Sequence, residues 1–275
     1  MEMAETRLIV LLALLAALSC GPRMEWSKFP MDGHRTGTSK VVGSDVVQAL
    51  GELSDSAYIA PNGAVFTDGV TPSAAALLID AQPHMRHLKQ VVGRSTSTMK
   101  KGQPESPLTN WAADAIMVGA AKIFKKKIDV GILNSGGIRI DMPEGDVMFD
   151  DINSMFPFKN YVSLVTLKGA DLRVIFEQMA AGKFEAVAGV KIEAADGKLS
   201  SVLVGGKPLA DNAVYRLATI DFLLDGGDGY TLAKNAVDLD ISDVRMGDCM
   251  IDYVRSLTAA GKNIESSIDG RVIVR

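Results

Sequence analysis

Asn134-Ser135-Gly136-Gly137-Ile138-Arg139 brings an amide, two successive glycines and a guanidinium together directly after an apolar run. Paired glycines let the backbone turn tightly and present its N–H groups to a ligand, while Asn and Arg add directional donors. About twenty residues on, Phe156-Pro157-Phe158 holds two rings about a proline. Either one ring packs inward while the other projects, or both belong to the core. The third segment, Asp221-Phe222-Leu-Leu-Asp225-Gly226-Gly227-Asp228-Gly229-Tyr230, is rich in glycine and carboxylate. It lacks the oxygen-ligand spacing of an EF-hand calcium loop, and its Gly/Asp pattern does not repeat. The chemistry on offer is binding: flat aromatic faces, amide and guanidinium donors, and carboxylate acceptors. Taken singly, each loop reads first as structure.

The elements that must carry these loops follow from periodicity and punctuation. Thr71-Pro72 predicts a helix start, with Thr at the N-cap and Pro at N1, kinked or split at Pro83 and ending near Val92-Gly93. Ser106-Pro107 repeats the start signal, and Leu108, Trp111, Ala112, Ala115, Ile116, Gly119 and Ile123 follow at helical spacing. Lys125, Lys126 and Lys127 sit where positive charge complements the helix dipole. Ile128–Leu133, Val162–Leu167, Val187–Glu193, Leu199–Val204 and Val214–Thr219 read as strands, with Asp196-Gly197 and Gly205-Gly206 at turns. Short helical stretches are expected at Asp151–Met155 and about 170–180, and a last helix at about 243–260, capped by Ser242 or Asp243. Arg271–Arg275 reads as a closing strand. The expected fold is therefore α/β, or α+β-like, with a mixed sheet and flanking helices over residues 71–275.

In this order, N-x-G-G-I-R, then P-F, then F-L-x-x-G-G-D-G-Y, the three loops resemble the C-terminal domain of the 5'-nucleotidase family. The resemblance runs over roughly residues 90–275 and takes in Pro104-Glu105-Ser106 and Val187–Gly206. It implies that Phe158 and Phe222 sandwich a base, which suits aromatic rings because any base has a π-face. It further implies that Asn134 bonds the base edge beside Gly136 and Gly137, that Asp228 accepts from ribose hydroxyls, and that Arg139 reaches ribose or phosphate. The residue types agree, since two aromatics, an amide, a carboxylate and a guanidinium complement the parts of a nucleotide. One departure stands out. Gln103-Pro104 occupies the place where the family usually has an arginine, which weakens the expected grip on phosphate and favours a nucleoside or another ligand.

Hydrolysis in that family is the work of an N-terminal metallophosphoesterase domain, whose two metal ions activate water and clamp the phosphoryl oxygens. Asp32-Gly33-His34 imitates its first motif, but no buried strand precedes it and no companion motif follows. Asp80, His84 and His87 share a helix face, which reads as solvated or, alternatively, as a metal site. With only 3 His in the chain, no catalytic residue, metal site or cofactor is assigned to it, and divalent metals are expected in a separate catalytic partner. The expectation is the nucleotide- or nucleoside-recognising half of a split 5'-nucleotidase, a member of a hydrolase family that is not active alone and works with a separately encoded metallophosphoesterase. The rivals are a non-catalytic nucleoside-binding surface lipoprotein and a structural envelope protein whose loops are relics.

Composition narrows the setting. Lys+Arg 29 against Asp+Glu 33 gives a formal charge of −4, which argues against a nucleic-acid partner. Hydrophobic residues at 47% and charged residues at 23% exclude a disordered or collagen-like chain. Leu8–Leu18 is an unbroken apolar run after Arg7, too short to span a bilayer, and it ends in Ala17-Leu18-Ser19-Cys20-Gly21. Residues 1–19 thus resemble a bacterial lipoprotein signal, with Cys20 lipidated; an ordinary signal peptide containing a cysteine is the alternative. Residues 20–70 read as a tether and irregular segment. The chain is expected to be exported and held to the cell-envelope membrane by its lipid, leaving Cys249 unpaired as a packed thiol.

Overall fold

The computed structural model describes residues 35–42 and 44–275; the signal-like segment, Cys20 and Asp32-Gly33-His34 lie outside the described residues. These residues fall into two compact units, one of residues 35–40 and 47–76, the other of residues 41–46 and 77–275. Helix α1 (Val46–Leu50) leads into a small antiparallel sheet of β1 (Glu52–Leu53), β2 (Tyr58–Ile59) and β3 (Val65–Phe66), in that order. Tyr58 is its buried anchor: the hydroxyl donates to Leu50 O at 2.7 Å, and the ring stacks on Phe66 at 6.0 Å.

Helix α2 (Val70–Met85) contains Pro83 and stops two residues after it, followed by a 3-10 turn, Arg86–Lys89. This corrects the expected continuation to Val92-Gly93. Val91–Ser95 is instead a strand, β4, paired antiparallel with β6 (Gly145–Met148). The proline removes a helical donor and crowds the preceding turn, and the β-branched Val91-Val92 pair favours extended backbone.

Helix α3 (Pro107–Phe124) is held at its start by a reciprocal cap, in which Thr109 N–H donates to Ser106 Oγ at 3.2 Å and Ser106 N–H donates to Thr109 Oγ1 at 2.9 Å. It buries Leu108, Trp111, Ala112, Ala115 and Ile116. After it come β5 (Val130–Leu133), β6, α4 (Phe149–Met155), β7 (Tyr161–Lys168) and α5 (Gly169–Ala181). The remainder is β8 (Ala186–Ala188), β9 (Val190–Ala195), β10 (Lys198–Val204), β11 (Lys207–Pro208), β12 (Val214–Ile220), β13 (Asp238–Arg245), α6 (Met246–Ala259) and β14 (Val272–Val274).

Two mixed sheets organise the larger unit. One has the order β13-β7-β12-β5-β8, with β12 and β5 parallel and the other pairs antiparallel. The other is β11-β10-β9-β14, with β9 and β14 parallel. The mixed α/β architecture is the one expected, with two further differences of detail. The strand expected over Val187–Glu193 is broken at Gly189, whose φ of +75° hands the chain from one sheet to the other. A Cβ at Gly189 would stand 2.2 Å from Asp129 O, so no other residue fits this crossing without displacing backbone. The last helix begins at Met246 rather than at 243, because Ser242 Oγ donates to Val162 O at 2.8 Å within the sheet instead of capping a helix.

The chain end is tied down by buried charge. Glu105 accepts from Gly270 N–H at 2.9 Å and from Asn110 Nδ2 at 2.7 Å. Arg271 forks onto both Asp114 oxygens at 2.8 and 3.0 Å, bonds Asp269, and donates to Val187 O at 3.0 Å. These contacts hold the segment that enters β14 against α3 and β8.

Candidate functional site

Topology brings the three loops to one edge of the five-stranded sheet. Strands β5 and β12 run parallel as neighbours, so both release their following loops at the same end, where ligands collect in open α/β sheets. Strand β7 is antiparallel to β12 with Val162 opposite Ile220, so the loop that enters β7 arrives at that edge as well. The result is a cleft of about 250 Å3 lined by Asn134, Gly136, Gly137, Arg139, Phe158, Phe222 and Asp228, with Asn160 as an eighth member. All seven residues singled out from sequence meet there.

In the second loop the rings divide. Phe156 is 4% exposed and stacks on Trp111 at 6.2 Å and 28°, while Phe158, past the proline, is 50% exposed in the cleft. The alternative in which both rings are core is excluded. Phe222 is 43% exposed on the third loop, where Asp221 Oδ1 accepts from Phe222 N–H at 2.9 Å and Tyr161 N–H at 3.0 Å. That bond ties the loop to the start of β7. Asp228 follows in the left-handed region, φ 49°, a conformation short polar residues tolerate.

Asn134 leaves the end of β5, whose four residues are all buried, and its Nδ2 donates to Asp228 Oδ2 at 2.7 Å. Arg139 Nη1 donates to Gly136 O at 3.0 Å, and its guanidinium carbon lies 5.9 Å from the Phe158 ring centroid, within cation–π reach. Behind the cleft, the buried Glu185 carboxylate accepts from Ser135 N–H, and Lys101 Nζ donates to the carbonyls of Ser135 and Ile138. Gln178 Nε2 donates to Gly229 O at 3.0 Å and steadies the third loop. Burial pushes the Tyr230 phenol up to about 12, with the Glu185 and Asp228 carboxylates adding to it, so the ring stays neutral at physiological pH.

Asn160 was within reach of sequence reasoning, since it carries an amide two residues past Phe158 in the same loop. Lys101, Glu185 and Gln178 lie 34 to 51 residues from their partners, and no local pattern marks them. Gln103 does not line the cleft; its side chain donates to Phe184 O at 3.0 Å.

Among the described residues no group of three or more His, Cys, Asp or Glu is placed to hold a metal ion. His84 closes α2, and His87 lies beyond it on the 3-10 turn, so the Asp80, His84 and His87 spacing builds no ligand set. Cys249 is buried, and burial pushes its thiol up to about 12, which leaves it protonated and unreactive at neutral pH. It borders a second cavity of about 210 Å3, where Val118, Ile123 and Val244 stand beside Lys122, Asp252, Tyr253 and Ser256. Among the described residues no helix is long and apolar enough to cross a membrane.

The family model for the 5'-nucleotidase C-terminal domain matches residues 85–235, the stretch that carries all three loops. The chain belongs to this family. A 5'-nucleotidase from Vibrio cholerae is 35% identical over 119 residues, which is 42% of this chain and 22% of that protein. Cell wall protein Lmo0130 from Listeria monocytogenes is 27% identical over 264 residues, covering 84% of this chain and 33% of its own length. The chain thus spans between about a fifth and a third of these relatives. The crystal structure of a 5'-nucleotidase precursor from Thermus thermophilus superposes with a TM-score of 0.64 at 24% identity, over 79% of this chain and 45% of that one. At that identity the superposition speaks for the fold: the mixed sheets and flanking helices are those of 5'-nucleotidase C-terminal domains.

Proposed function

We propose that the cleft holds the nucleoside part of a nucleotide. On this reading the chain is the recognition module of a 5'-nucleotidase-type phosphate-ester hydrolysis, whose phosphoryl chemistry is done by a two-metal metallophosphoesterase on a separate polypeptide. The proposal includes the layout read from sequence: residues 1–19 a signal peptide, Cys20 the lipid anchor in the cell envelope, 20–70 a tether with a small subdomain, and 71–275 the ligand module. The observation that carries it is the convergence of Phe158, Phe222, Asn134, Asp228 and Arg139 on one cleft from three separate loops. The base stacks between Phe158 and Phe222, its edge meets Asn134, the ribose hydroxyls donate to Asp228, and Arg139 turns toward ribose or phosphate. Support comes from the relatives' names, 5'-nucleotidase for the Vibrio cholerae protein and cell wall protein for the Listeria one. Among the described residues Arg139 is the one cation lining the cleft, so the nucleoside dominates binding and AMP gains little over adenosine.

The described residues do not offer the donor set of a two-metal centre. Purified protein supplied with Mn²⁺, Zn²⁺ or Mg²⁺ is therefore expected to hydrolyse no nucleotide unaided, and phosphate release by the chain alone would overturn the split assignment. The cleft itself is tested at Gly137, where a Cβ would stand 2.8 Å from Asn134 Oδ1. Gly137→Ala must push that amide aside, so titration should show adenosine binding weakened about tenfold, the loss of one or two hydrogen bonds, with little change in thermal unfolding. Unchanged affinity would remove Asn134 from the binding site.

A further inference from the structure

An ionised carboxylate only accepts hydrogen bonds, so Asp228 dictates how Asn134 faces: nitrogen toward Asp228 Oδ2, 2.7 Å away, and oxygen turned from it. Among the described residues no donor reaches Asn134 Oδ1, and the oxygen is not sealed in the protein. It lies beside Gly137 on the cleft wall, an accessible acceptor with no protein partner. The second Nδ2 hydrogen stays free beside it. The wall therefore presents an acceptor and a donor in a fixed order.

We infer that this fixed amide selects bases that present an exocyclic amino group, adenine and cytosine, over those with a carbonyl at the same place, hypoxanthine and uracil. The inference rests on the nucleoside reading above and names the class of base that site takes. An amino group donates to Oδ1 while the neighbouring ring nitrogen accepts from Nδ2, the paired contact an asparagine makes with adenine. A carbonyl sets oxygen against oxygen, and the amide cannot turn over to relieve the clash without breaking its bond to Asp228. The positioning residue is Asp228, acting through Asn134, in addition to its place beside the ribose. Asn is tolerated at the left-handed φ of 49° that residue 228 adopts, so Asp228→Asn keeps the loop conformation while supplying a group that can also donate.

Titration calorimetry of the full chain with adenosine against inosine, and cytidine against uridine, tests this. The amino nucleosides should bind about tenfold tighter or more, one hydrogen bond gained against one acceptor left unpaired. In Asp228→Asn all four should weaken, and the ratio within each pair should fall toward one because the amide is free to turn. Equal affinities within each pair, or a ratio untouched by Asp228→Asn, would overturn the selectivity and leave the nucleoside reading standing. No binding by any of the four would overturn both.

Discussion

Phe222→Ala is expected to weaken adenosine binding by about 1–3 kcal/mol, and Phe158→Ala by a similar amount, because each removes one face of a stacked base. The two rings are suited to such a test because they are half-exposed, at 43% and 50%, and carry little of the fold. Removing either leaves no core cavity, so thermal unfolding should move little. Phe156→Ala is the internal control: that ring is buried against Trp111, and its loss should cost about 3–5 kcal/mol of stability through the cavity it leaves. The double variant should lose less than the sum of the two single losses, since a base stacked on one ring only is already loosened. If Phe222→Ala binds adenosine as tightly as the parent, the ring is not a stacking surface.

Arg271→Met is expected to lower folding stability by about 3 kcal/mol. The guanidinium is largely buried and bridges Asp114, Asp269 and the Val187 carbonyl, so its removal strands Asp114 and Asp269 without their cation. Breaking one partner of a buried pair costs about 3–5 kcal/mol, and the half-exposed Asp114 places this cluster at the low end. Urea unfolding should show a lower midpoint at an unchanged slope. The nucleoside affinity of the folded protein should hold, because the cluster ties the start of β14 to α3 and β8 and none of its residues lines the cleft. A loss below about 1 kcal/mol would mean the cluster behaves as a surface ion pair.

Much of the cleft was legible in the sequence because its side chains sit on short, locally coded loops. Asn134, Gly136, Gly137 and Arg139 fall within six residues after an apolar strand, and Phe158 follows a proline that divides two rings by environment. What places them together is not local. The parallel pairing of β5 with β12 and the antiparallel return of β7 are long-range choices, as are the clamps from Lys101, Glu185 and Gln178. The errors have physical causes as well. The α2 boundary was missed because helical spacing through His84 and His87 outlasted the helix that Pro83 ends. The β13 strand was missed because Ser242 and Asp243 are cap residues by type, yet Ser242 spends its hydroxyl on Val162 O. Gly189 reads as an interruption within a strand, but the contact with Asp129 that demands a glycine exists only once β8 pairs with β5.

The measurement that bears most directly on the central claim is a calorimetric titration of the purified protein with adenosine, repeated on the Phe158→Ala/Phe222→Ala double variant. The parent protein should show saturable one-to-one binding, accompanied by a rise in unfolding temperature with adenosine concentration, and the double variant should lose both. No heat of binding and no thermal shift with millimolar adenosine, or binding that survives the loss of both rings, would contradict it.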